Sequence, residues 1–201
     1  MFRWNFKRKT WCLLLLICMV TQMMCIPVFA QDTSSKITTT VKITDLATGE
    51  VKQYEIDDAR SIAEVDGEGR PVTTTIIEVG GSQSDMARAG QSNYDDFSGW
   101  RGTVTISYTD NGTYANLTKA TGNWTRRSGS TSISGMSMTY GQALGTNRRN
   151  SSIGLSSNST TTVTPSWPAG KYGYGIGHYL GATIHATIGG KYVYISCNVN
   201  Y

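Results

Sequence analysis

The 201-residue chain is 39% hydrophobic and 16% charged, with a formal net charge of +4 at pH 7. The whole excess lies in the first 30 residues, because residues 31–201 hold 14 Lys and Arg against 14 Asp and Glu. Such a neutral chain lacks the basic field that nucleic-acid binding needs, and it is long enough to bury a stabilising core without cross-links.

Residues 1–30 read as a signal peptide. Arg3, Lys7, Arg8 and Lys9 precede an apolar run from Trp11 to Val20, and Val28-Phe29-Ala30 sets cleavage after Ala30. The run is shorter than the about 20 residues of a spanning helix, and Thr21, Gln22 and Pro27 follow it. Cys18 follows Ile17 and Cys25 follows Met23-Met24, which is not the small-residue context of a lipidated start. The expected location is extracellular, secreted or associated with a bacterial cell wall, with the membrane met only through the leader. Cys12, Cys18 and Cys25 leave with that leader, so Cys197 stands alone and no intrachain disulfide is expected.

Charge then divides the remainder. Residues 31–96 hold 13 acidic and 6 basic residues, whereas residues 97–201 hold 1 acidic and 8 basic. The stretch GGSQSDMARAGQSNYDDFSG has no apolar periodicity and reads as a linker, which places a boundary near residue 97. The expected organisation is a signal peptide (1–30), an acidic segment with short strands and linker (31–96) and a β-sandwich-like domain (97–201). Opposite charge suggests that the acidic segment lies against the basic domain and masks it.

In the acidic segment, KITTTVKI (36–43) and VKQYEI (51–56) form a hairpin across TDLATGE, and VTTTIIEV (72–79) is a third strand. The intervening DDARSIAEVDGEGRP offers material for no more than a turn of helix. The segment is expected to be a small sheet or irregular, since three strands are near the lower limit for independent stability.

The basic part reads as strands throughout. TVTISYTDNGTYANLTKA (103–120) has Asn111-Gly112 between alternating runs, so a two-residue loop would pair Asp110 with Thr113 and put Val104, Ile106, Tyr108, Ala115 and Leu117 on one face. Residues 130–142 and 160–167 are further strands, and the glycine-rich YGYGIGHYLG (172–181) reads as a tight crossing or bulged strand. No run has helical period. The fold class is all-β, an antiparallel β-sandwich or open barrel.

The last hairpin turns at Gly189-Gly190, which supply the positive φ angles of a two-residue loop. Register followed outward puts Ala186, Ile184, Ala182, Val193, Ile195 and Cys197 on one face and Thr183, His185, Tyr192 and Tyr194 on the other. Cys197 and His185 are therefore kept apart, which rules out a thiolate–imidazole pair, and Cys197 reads as a small core hydrophobe.

Other chemistry is equally hard to find. Asp110 is the one carboxylate of residues 97–201, so paired-carboxylate hydrolysis within that part is excluded. There is no nucleophile elbow or phosphate loop, and His178 and His185 lack the spacing and third donor of a metal site. No enzyme activity, cofactor or metal is expected.

Two surfaces remain. Tyr179, His185, Tyr192, Tyr194 and Asn198 combine aromatic rings with an amide, as a glycan or cell-wall polymer requires. Arg126-Arg127 and Arg148-Arg149 lie in apparent loops and offer a cationic surface. The expected function is a non-enzymatic cell-surface or carbohydrate-binding module. The alternative is a membrane-active, pore-forming β-protein, suggested by the Ser/Thr-rich amphipathic stretch from Ser128 to Thr164.

Overall fold

The computed structural model describes residues 36–55, 60–65, 67, 69–80, 97–173 and 177–201. The expected leader (1–30), the linker over residues 81–96 and part of the 172–181 crossing lie outside the described residues.

Alternating sequence produces strands from the first described residue onward. β1 (Lys36–Asp45) turns Ile37, Thr39, Val41 and Ile43 to one side, and its last residue starts the turn into β2 (Val51–Glu55). There Asp45 Oδ1 accepts hydrogen bonds from the Ala47 and Thr48 amides at 2.9 and 3.0 Å, as Asp does in tight turns. β3 (Arg60–Val65) and β4 (Pro71–Gly80) form a second hairpin. The expectation of no more than a helical turn before residue 72 is thus wrong for residues 60–65, which gain a β ladder from β4 that no local pattern announces.

β5 (Trp100–Asp110) and β6 (Tyr114–Arg126) are the long central pair of one sheet. Their turn falls one residue later than the Asn-Gly signal suggests. Asp110 pairs with Ala115, and the Asn111 amide donates to the Tyr114 carbonyl at 3.2 Å. The loop amides explain the shift: Asp110 Oδ1 accepts from Gly112 at 2.8 Å, and Asn111 Oδ1 accepts from Tyr114 at 2.8 Å. Parity survives the shift, and Val104, Ile106, Tyr108, Ala115 and Leu117 are all buried as expected.

β7 (Ile133–Leu144) and β8 (Asn147–Gly154) form the next hairpin, followed by β9 (Thr160–Val163) and the two-residue β10 (Gly170–Lys171). β11 (Tyr179–Ile188) and β12 (Lys191–Asn200) close the chain in the register expected, including Ala182 opposite Cys197 and His185 opposite Tyr194.

Among the described residues the strands form two six-stranded sheets, and every pairing between these strands is antiparallel. One runs β2-β1-β12-β11-β7-β8; the other runs β10-β6-β5-β4-β3, with β9 also on β6. Among the described residues the arrangement is all-β and sandwich-like, with no closed barrel. Ile184, Ile195 and Met138 from the first sheet and Val104, Leu117 and Trp124 from the second are fully buried in one core. A fully buried side chain of this size contributes about 1.5–3 kcal/mol. The sheets approach closely at Gly102, where a Cβ atom would lie 2.5 Å from Ile195 Cδ1 and 2.8 Å from Trp124 Cζ3.

The acidic strands are not a separate body. β1 pairs along its whole length with β12, and β4 pairs with β5, so residues on both sides of 97 share both sheets. Ser34–Tyr201 forms one compact unit. This corrects the expected boundary near residue 97 and the idea of an acidic flap masking a basic domain. Charge composition changes along the chain, but backbone pairing and the burial of Val41, Ile43 and Ile77 tie the two halves together.

Candidate functional site

The outward face of the β2-β1-β12-β11-β7-β8 sheet carries the aromatic and amide residues singled out in the sequence. Register arranges that face in rows across the strands. One row is Thr38, Asn198, Gly181, Gly141 and Asn150, from β1 to β8. The two glycines stand side by side and leave a gap in the side-chain layer, with an amide at each flank.

The gap opens into a groove of about 280 Å³. Tyr179, Tyr194 and Asn198 line it, as do Thr139, Thr183 and Asn150, and no charged side chain belongs to the lining among the described residues. Tyr179 is 46% exposed, so its ring meets solvent at one end. Hydrogen bonds hold two of the polar groups, Asn198 and Thr183, in place. Asn198 Nδ2 donates to Ser196 Oγ at 2.8 Å, and Thr183 Oγ1 donates to the same oxygen at 3.2 Å. Asn198 Oδ1 lies directly over Gly181, where a Cβ atom would collide with it and with the Cys197 carbonyl. Glycine at 181 is what lets that amide lie flat on the floor.

Of the five residues expected to bind ligand, three line this groove: Tyr179, Tyr194 and Asn198. The other two stand beside it. His185 is opposite Tyr194 and has its ring 5.4 Å from that of Tyr192. Burial lowers the His185 pKa from the usual imidazole value and favours the neutral ring. Burial, and then the neighbouring Tyr194, raise that of Tyr192.

Ser137 Oγ lies 2.6 Å from His185 Nε2, a nucleophile–base distance between residues 48 positions apart. A working dyad also needs a group that orients the other ring nitrogen and donors for an oxyanion. The two residues directly opposite His185 on this face are Tyr194 and Ser137, neither of them a carboxylate. The contact is a hydrogen bond that joins β7 to β11.

The four arginines separate. Arg126, at the end of β6, lies over the Trp100 ring at 4.9 Å and donates from Nη2 to the Thr131 carbonyl at 3.1 Å, so its guanidinium is engaged within the chain. Arg127 follows it and donates its amide to Gly99. Arg148 and Arg149 are not in a loop, as the sequence suggested, but on β8. Arg148 pairs with Ala143, which pairs with Tyr179, and this brings one of the expected cations to the face that holds the expected aromatics.

Sequence reading missed Thr139, Asn150 and the two floor glycines. Glycines inside β7 and β11 were the available signal, because a strand glycine often marks a close approach. Nothing local could pair them, as β7 and β11 are far apart in the chain.

The remaining candidates are buried. Cys197 is fully buried, and burial pushes its thiol up to about 12. His178 is buried with its Nδ1 accepting from the Gly173 amide at 2.9 Å. No group of three His, Cys, Asp or Glu residues that could hold a metal ion occurs among the described residues. Comparison with protein-family models, curated proteins and solved structures gives no match.

Proposed function

We propose that the protein is an exported, non-enzymatic module that binds glycan chains at the bacterial cell surface. The observation that carries the reading is the uncharged groove of about 280 Å³ in which Tyr179 and Tyr194 accompany Asn150 and Asn198. Aromatic rings stack on the C–H faces of sugars, and side-chain amides exchange hydrogen bonds with hydroxyl or acetamido groups. Export rests on the N-terminal pattern of basic start, apolar run and Val28-Phe29-Ala30.

The pore-forming alternative has less support. β7, in the middle of the Ser/Thr-rich stretch, has Met138 and Leu144 fully buried in the core, so insertion as a membrane hairpin would first have to dismantle that core.

Binding of the full chain to purified cell-wall polysaccharide tests the reading. Tyr179→Ala, at an exposed ring, should leave the melting temperature unchanged and weaken binding about tenfold or more, equivalent to about 1.4 kcal/mol. Equal binding by wild type and variant would remove the groove from consideration.

A further inference from the structure

The groove lining is uncharged, but its surroundings are cationic. Lys42 lies opposite Tyr194 on the adjoining strand β1. Lys36 lies opposite Asn200, which lies opposite Tyr179. On the other side of Tyr179, across Ala143, stands Arg148. All three cations are exposed and on the same sheet face as the groove.

The acid on this face is Glu55, the one carboxylate that register puts there among the described residues. It stands on edge strand β2, with β1 between it and β12. The acidic excess of residues 31–96 is therefore not expressed here, although β1 belongs to that part of the chain.

From this placement we infer that the ligand of the groove is an acidic polysaccharide, its sugar rings in the groove and its negative groups at Lys36, Lys42 and Arg148. The inference rests on the groove being a glycan site. Adjacent strands lie about 4.8 Å apart, so Lys42 is one strand from the Tyr194 wall and within the roughly 10 Å over which exposed charges act at about 0.1 M salt. Cations at both flanks of the groove, Lys36 and Lys42 on β1 and Arg148 on β8, suit a polymer that carries repeated negative charge. A neutral glycan would leave them idle.

The test compares two oligosaccharides of equal length by calorimetry with the full chain. One is an N-acetylglucosamine oligomer, and the other alternates N-acetylglucosamine with a uronic acid. The expected result is at least about tenfold tighter binding of the acidic oligomer, a preference that fades between about 0.05 and about 0.5 M salt. In the double variant Lys36→Gln, Arg148→Gln the acidic preference should fall severalfold while affinity for the neutral oligomer stays the same. Equal affinity for both oligomers overturns the acidic preference and leaves the groove reading standing. Binding of neither, by a protein with the wild-type melting curve, overturns the groove reading and the inference with it. Acidic binding that survives Tyr179→Ala also overturns the inference, because charge alone would then be holding the ligand.

Discussion

Gly181 lies opposite Gly141 on the neighbouring strand, and the pair opens a gap in the side-chain layer between Asn198 and Asn150. The groove exists because two strands far apart in the chain each place a glycine at the same level of the sheet.

Gly181→Ala should therefore be costly for so small a change. The new methyl group would meet the Cys197 backbone and the Asn198 amide, and backbone on a central strand has little room to give. Overpacking of this kind costs about 1–3 kcal/mol. The expected outcome in chemical denaturation is a lower midpoint at unchanged slope, and a loss below about 0.5 kcal/mol would mean that the amide moves aside freely.

A fragment of residues 97–201 should fail to fold by itself. It lacks β1, whose Val41 is fully buried beside β12, and β4, whose Thr75 and Ile77 are buried beside β5. Loss of these strands bares two internal edges as well as core surface. Calorimetry should show no cooperative transition for the fragment. A sharp melt with native-like near-ultraviolet dichroism would mean that the acidic strands are dispensable.

His185 gives the fold a pH dependence of definite sign. Burial lowers its pKa below that of the unfolded chain, near 6.5. Its contribution is fully present above that value and is lost as pH falls toward the folded pKa, because the unfolded chain takes up the proton first. Unfolding free energies at about pH 7.5 and about pH 5 should differ less for His185→Gln than for wild type. The same difference in both proteins would assign the dependence to other groups.

Cys197 should resist thiol reagents. It is fully buried, and a thiol titrating at about 12 carries almost no thiolate at neutral pH. Reaction with a chromogenic disulfide should follow global unfolding and become fast in denaturant. Prompt labelling of the native protein would contradict the packing described for β12.

Local physics made part of this molecule readable in advance. Alternation with period two marks most of the strands, and Gly189-Gly190 sets a turn whose register follows by counting. That is enough to put Tyr192, Tyr194 and Asn198 on one face and Cys197 on the other, as found. Charge composition misled, since a run of acidic residues says nothing about which strand will pair with it. The arginine pair at 148–149 was also misjudged, because an edge strand carries polar residues on both sides and looks like a loop.

The sequence by itself determined an all-β chain and the faces of its last hairpin, because these depend on alternation and turn chemistry over a few residues. Only the tertiary structure decided that β1 lies beside β12, that Gly141 meets Gly181 and that Arg148 reaches the level of Tyr179. Those choices pair strands far apart in sequence, and they are settled by which arrangement buries one continuous core while satisfying the backbone hydrogen bonds.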